Sequence, residues 1–392
     1  MPRRSLLLAA AAALALSGCS LKSNDSGGGG AIGKGVKSDT KQAAQELGFP
    51  VAATRDTTRV SGDDAVANAA GVAEALFPAS TPATRPASVA LVDKNDWQAG
   101  IAAAVLAGEP LHAPLLLSDG GSLPAATSGT LGRLKPKGQA LSKGAQVILV
   151  GDGPPAPGGF KSGRVHGKDP FSIAAAVDSF QTAVAGKPSA RVIVASADQP
   201  AYAMPAAAWS ARSGEPVLFV SRNVVPAATR KAIGLHAKPE ILLMGPPGIV
   251  SPNVEAELKK LGTVTRIPSK VPGPVAAAAE FARSDKTWGA HDPGRIYSLA
   301  NIARPSDAAA AAALGSNGVY APLLLTDKAN VMPPALESYL LDVQPGFEND
   351  DPSQAVYNRV WLLGNTDAIS QAVQARIDQL TQLVPVDKPP KQ

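Results

Sequence analysis

The chain has 392 residues, enough for two to three domains at roughly 100–200 residues each. With 45% apolar and 18% charged residues it reads as a globular chain, and a net charge of +5 is too mild an excess at this length to call for nucleic acid. A single cysteine, Cys19, excludes an internal disulfide framework and a cysteine-based metal cluster. His112, His166, His236 and His291 stand too far apart for an HExxH-type metal site.

The chain opens with Arg3 and Arg4, then an apolar stretch from Leu6 to Leu16 that is short for a bilayer span. It closes on Leu16-Ser17-Gly18-Cys19, which resembles a bacterial lipobox. The resemblance implies a signal peptide over 1–18 and a diacylglycerol on the thiol of Cys19, which would hold the exported protein to the outer face of the cytoplasmic membrane. Residues 19–50, rich in Ser, Gly and Lys with a run Gly27–Gly30, are expected to be a flexible tether.

From there the chain repeats itself three times, at a spacing of roughly 100 residues. Arg59-Val60-Ser61-Gly62 is echoed by Arg164-Val165-His166-Gly167 and by Arg266-Ile267-Pro268-Ser269. The run at Pro114-Leu115-Leu116-Leu117 returns at Pro216-Val217-Leu218-Phe219 and Pro322-Leu323-Leu324-Leu325. Val147-Ile148-Leu149-Val150-Gly151 returns at Ile241-Leu242-Leu243-Met244-Gly245 and Val360-Trp361-Leu362-Leu363-Gly364. The repeats are placed at 51–162, 163–264 and 265–384, followed by a tail over 385–392.

Within the first repeat an alanine-rich helix is predicted from Asp64 to Leu76, then a strand at Val89–Val92 and a helix from Trp97 to Ala107. The Pro-Leu-Leu-Leu and Val-Ile-Leu-Val-Gly runs are two further strands. These runs are apolar throughout instead of alternating, as in parallel strands with helices over both faces. Strand–helix alternation at this spacing predicts an α/β fold.

Together these marks resemble the bacterial cell-wall-binding repeats of type 2, which usually occur in tandem threes. The opening mark is kept at Arg59, Arg164 and Arg266, its aspartate at Asp64 and Asp169, and the helix-start aspartate at Asp307, where the other repeats have Ala99 and Tyr202. Trp97 alone keeps the aromatic that precedes that helix start. The family's second arginine is replaced by Ala65 and Pro170, its threonine by Asn68 and Ile173, and its Gly-Gly doublet by single glycines.

The resemblance implies three α/β modules with Rossmann-like or Toprim-like parallel sheets, packed around a pseudo-threefold axis. It implies non-covalent attachment to an anionic cell-wall polymer or glycan. A basic residue repeated once per module suits that job, since weak contacts on one polymer multiply. Arg59, Arg164 and Arg266 are therefore the candidate polymer contacts. Each could equally flank an edge strand and pair with an acid across a module junction.

No catalytic residues are assigned. GxSxG and the GxxxxGK[ST] phosphate loop are both missing from the sequence. The turns Gly151-Asp152-Gly153-Pro154-Pro155 and Gly245-Pro246-Pro247-Gly248 follow strands, but Pro-Pro lacks the N–H donors that would cradle a phosphate. The expectation is a non-enzymatic, lipid-anchored envelope protein without cofactor or metal. Three alternatives stand beside it: a solute-binding lipoprotein of an ABC transporter, a protein-interaction scaffold at the envelope, and an enzyme acting on wall glycan, for which the sequence offers no acid pair.

Overall fold

The structure, a computed structural model, describes residues 52–268, 270, 272–348 and 355–386. Cys19, the expected signal segment and the tether lie outside these residues. The first stretch carries β1 (Ala52–Ala53), β2 (Thr57–Val60), α1 (Ala65–Leu76), β3 (Val89–Asp93), α2 (Trp97–Ala103), β4 (Leu115–Ser118), α3 (Ala125–Leu134) and β5 (Val147–Val150). The second carries β6 (Ser162–Val165), α4 (Pro170–Ala185), β7 (Arg191–Ser196), α5 (Pro200–Ala203), α6 (Pro205–Ser213), β8 (Val217–Val220), α7 (Ala227–Gly234), β9 (Glu240–Met244) and α8 (Pro252–Leu258). The third carries β10 (Thr263–Ile267), α9 (Pro274–Arg283), β11 (Ile296–Asn301), α10 (Asp307–Gly315), β12 (Leu323–Thr326), α11 (Pro334–Asp342), β13 (Gly346–Glu348), β14 (Arg359–Leu363), α12 (Gln371–Thr381) and β15 (Val384–Val386). Pro385 and Val386, at the head of the expected tail, belong to β15, which pairs with β13.

The local signals explain these elements. Asp64 caps α1 by accepting the Ala67 N–H, and Asp169 caps α4 through the N–H groups of Phe171 and Ser172. Proline at the first helical position starts α4, α6, α8 and α9, where no N–H partner is lost. The helix expected over 97–107 is α-helical only to Ala103 and tightens into a 3-10 turn over Ala104–Ala107.

Three sheets of four parallel strands result, in the orders β4-β3-β5-β6, β8-β7-β9-β10 and β12-β11-β14-β2. β1 adds an antiparallel edge to the third. The arginine strands β6 and β10 are only partly buried, whereas the apolar strands are buried on both faces, as their continuous runs require, with Leu116, Leu218 and Leu324 shut away from solvent. Each such side chain contributes about 1.5–3 kcal/mol relative to an exposed one.

The connectivity holds one feature that the repeat marks did not reveal. The arginine strand that opens each repeat completes the sheet of the repeat before it: β6 pairs with β5, and β10 with β9. The first one, β2, pairs with β14 near the end of the chain. The described chain thereby closes on itself, with β2 sewn into the sheet that holds β14.

At the centre, α2 with its 3-10 turn, α6 and α10 pack on one another. Alanine and glycine let the three backbones approach closely. A Cβ on Gly315 would run into the Ala208 carbonyl, one on Gly108 into the Ala211 carbonyl, and one on Gly100 would crowd Ala309. Every residue of α10 is buried, which is why a helix of DAAAAAALG has no polar face. Among the described residues no helix is long and apolar enough to cross a membrane.

Candidate functional site

Arg59, Arg164 and Arg266 occupy one and the same place in the three sheets, facing Leu362, Leu149 and Leu243 on the neighbouring strand. Each turns its guanidinium inward. Nη1 donates to the carbonyl of the glycine that ends that strand: Gly364 at 2.9 Å, Gly151 at 2.6 Å and Gly245 at 2.7 Å. The same three glycines have φ of +111°, +77° and +91°, and each donates its N–H to the residue after the arginine. Two of the repeat marks are therefore halves of one device. The glycine must adopt a left-handed turn, and the arginine on the next strand holds its carbonyl.

The remaining donors are also taken up internally. Arg59, 2% exposed, gives Nε and Nη2 to Gln374 Oε1 at 3.0 and 2.7 Å, and Nη1 also to the Asn365 carbonyl. Burial lowers its guanidinium to about 10, which leaves it charged at neutral pH. Arg266 is paired with Glu255 and donates to the Val250 carbonyl at 3.0 Å. Arg164, partly exposed, donates Nη2 to the Pro154 carbonyl at 2.7 Å, so the Gly-Asp-Gly-Pro-Pro turn receives an arginine through its carbonyls. Of the three, Arg266 alone is paired with an acid in the described residues.

A different set of side chains surrounds an open cleft of about 410 Å³. Its lining comes from the loop between β2 and α1 (Asp63, Asp64), the loop between β3 and α2 (Lys94, Asn95), and the loop between β11 and α10 (Arg304, Ser306). The cleft lies where the third sheet, closed by β2, meets the first. The Ser306 hydroxyl donates to the Lys94 carbonyl at 2.6 Å and ties the two sheets together.

Beneath it lies a buried polar triad. Asp307, 0% exposed, accepts a hydrogen bond at 2.8 Å on Oδ1 from Asn68 Nδ2, while its Oδ2 stands 2.9 Å from Arg304 Nε. Asn68 is itself fixed by the Gly62 N–H at 2.9 Å. Burial pushes the Asp307 carboxyl up to about 6; Arg304 and Asn68 pull the other way, and Asp64 adds to the rise. Among the described residues, Arg304 Nη2 and Asp307 Oδ2 have no hydrogen-bond partner of good geometry. The cleft thus borders a guanidinium that is one-fifth exposed, with Nε held by Asp307 and an unpartnered Nη2 that is itself buried. Lys94, on the rim, is paired with Asp119 at 2.8 Å, and that bond raises its pKa.

By sequence Asp307 is a helix-start aspartate and Asn68 stands where the family has threonine. The helix α10 does begin at Asp307, behind a Ser306 cap without a side-chain cap bond, and the structure joins Asp307 to Asn68. The available signal was that both are polar only in this pairing, where the other repeats carry Ala99, Tyr202 and Ile173. Arg304 had no counterpart among the repeat marks.

This geometry defines a class: three tandem α/β units with parallel sheets, joined by strand exchange and packed through small-residue helices. Residues 164–255 match the family model for cell wall binding domain 2. The fold is similar to that of Cwp8 from Clostridium difficile, with a TM-score of 0.63 and 19% identity over 84% of this chain and 52% of that one. It is also similar to Cwp6 from Clostridium difficile, with a TM-score of 0.64 and 14% identity over 82% of this chain and 48% of that one. The chain therefore spans about half the length of these solved structures, and at such identities the likeness is one of fold. None of the curated proteins compared matches it.

Proposed function

We propose that the protein is an exported envelope protein that attaches without catalysis to an anionic polymer of the cell wall, held to the membrane by lipid on Cys19. The observation that carries this reading is the match of residues 164–255 to cell wall binding domain 2, set in three sheets of one design. The lipobox-like ending at Cys19 supports the membrane end of the tether. We read 51–162, 163–264 and 265–384 as the repeats, each lending its first strand to the sheet before it.

Co-sedimentation tests the wall end. The purified chain should pellet with native walls and stay in solution with walls stripped of anionic polymer; equal pelleting with both would contradict the reading. For the membrane end, Cys19→Ala should abolish labelling by a fatty-acid probe, and unchanged labelling would sink the lipid anchor. The inward bonds of Arg59, Arg164 and Arg266 favour a second reading, a protein-interaction scaffold, in which the modules present loops to another envelope protein. Pelleting lost on protease treatment of the walls, but kept on polymer stripping, would select it.

A further inference from the structure

The three sheets create three equivalent junctions, and strand register fixes which residues correspond. Asp93, Ser196 and Asn301 pair with Ser118, Val220 and Thr326, the matching ends of β4, β8 and β12. Three residues further along stand Asp96, Gln199 and Arg304, and six further along Ala99, Tyr202 and Asp307. One residue along stand Lys94, Ala197 and Ile302. A conserved contact confirms the alignment. Gln98 Nε2 donates to the Ala197 carbonyl at 3.1 Å, as Ser306 donates to that of Lys94.

With that correspondence the junctions differ sharply. Where the first sheet meets the second, Asp96 takes the place of Arg304, Ala99 that of Asp307, Ile173 that of Asn68 and Ala197 that of Lys94. The exposed Lys168 takes the place of Asp63 there. Where the second meets the third, the places of Arg304, Asp307 and Lys94 hold Gln199, Tyr202 and Ile302. A guanidinium backed by a buried carboxyl occurs at the ring-closing junction alone of the three. Keeping Asp307 and Asn68 in a core built of alanine is costly, because a buried carboxylate without full hydrogen bonding opposes folding. A structural role does not require it, since Ala99 with Ile173 packs the same place elsewhere.

We propose that this chain has one oxyanion seat, the cleft where its first and third sheets meet, in which Arg304 contacts a phosphodiester or carboxylate of the wall polymer and Asp307, braced by Asn68, positions that guanidinium. The proposal rests on the wall-polymer reading above. Either oxyanion can accept a charge-assisted hydrogen bond from the exposed part of the guanidinium. The charged groups around Asp307 are Arg304 on its own loop, Asp64 and Asp63 ahead of α1, and Lys94 with its partner Asp119 from the first sheet. With Asp307 ionised, Arg304 is neutralised and Asp63 and Asp64 leave the cleft anionic. Protonation of Asp307 releases the guanidinium, so oxyanion binding and proton uptake are coupled with one sign: binding tightens as pH falls through the titration of Asp307.

Isothermal titration of the full chain with glycerol-phosphate oligomers capped by glycerol at both ends and with galacturonate oligomers tests this, because neither a phosphodiester nor a uronate carboxyl changes charge between about pH 5.5 and about pH 7.5. One oligomer should bind per chain, severalfold more tightly at the lower pH. Arg304→Gln should weaken it about tenfold or more, and Arg304→Lys should recover part of that loss. Asp307→Asn should bind equally at both pH values, no more weakly than the parent at the higher one. Which oligomer binds tells phosphodiester from carboxylate. Three oligomers per chain, full affinity in Arg304→Gln, or the parental pH dependence in Asp307→Asn would overturn the proposal. A parent chain that binds neither oligomer yet pellets with native walls overturns the seat and leaves the wall reading standing; failure to pellet removes the wall reading itself.

Discussion

Asn68 and Asp307 lie 239 residues apart in the chain and share a hydrogen bond of 2.8 Å inside the core. The bond joins α1, which follows the first strand of the third sheet, to α10 of that same sheet. It therefore marks the place where the segment that follows β2 is built into the third sheet. Removing the amide leaves the buried Asp307 carboxylate short of a partner, a loss of about 1–3 kcal/mol. Asn68→Ala should lower the urea midpoint accordingly, with an unchanged slope.

The same carboxyl sets a pH dependence. The folded pKa of Asp307 is raised by burial to about 6 from 3.8, so the folded chain holds a proton that the unfolded chain releases. Between those values stability falls as pH rises, by about 3 kcal/mol in all. His236 acts in the same sense. Burial works against its charge, but Asp178 at 2.9 Å and the Ser189 carbonyl at 2.8 Å outweigh that and raise its pKa. Its contribution is complete below its unfolded value and is lost as pH rises through the higher folded one. Thermal melts should show a higher Tm at about pH 5 than at about pH 8, and Asp307→Asn should reduce the difference.

The repeat arginines should rank by burial rather than by any shared role in binding. Arg59→Ala opens a cavity and strips Gln374 and two carbonyls of their donors, a loss of about 3–5 kcal/mol. Arg266→Ala should cost about 2 kcal/mol, since Glu255 keeps Lys259 as a partner. Arg164→Ala, on a partly exposed side chain, should cost about 1 kcal/mol. Urea unfolding of the three variants checks the order.

Much of this architecture was legible in the residues. The apolar runs named the strands, Asp64 named a helix start, and the threefold spacing named three units. Strand exchange was not legible, because a parallel edge strand reads the same whichever sheet receives it. The arginines were visible as a repeat but not as partners of Gly151, Gly245 and Gly364, since that pairing exists only once adjacent strands are in register. The cleft was the least legible part. Arg304, Asp307 and Asn68 become one group only when residue 68 is brought to the far end of the chain.

Closure also fixes what the N-terminal strand is worth. A chain beginning after Val60 would expose the edge of β14 and the apolar face of α12, and open edges of this kind recruit other strands. Such a truncation should aggregate on refolding, whereas one beginning at Val51 should remain monomeric by light scattering.

The three-helix centre allows little addition of volume. Gly315→Ala places a methyl against the Ala208 carbonyl, and Gly108→Ala does the same at Ala211. Each should cost about 1–3 kcal/mol or more, because backbone cannot step aside as a side chain can. Gly132, with open space around its Cα, is the internal control, and Gly132→Ala should be neutral or slightly stabilising in its helix.

The proposed hold on an anionic wall polymer is one of charge. Its most direct measurement is the equilibrium binding of purified, released wall polymer to the full chain across a salt series. Binding should be saturable and weaken steadily as salt rises, because the screening length shrinks from about 10 Å at 0.1 M to about 3 Å at 1 M. Binding that is absent at low salt, or that is unchanged across the series, would contradict it.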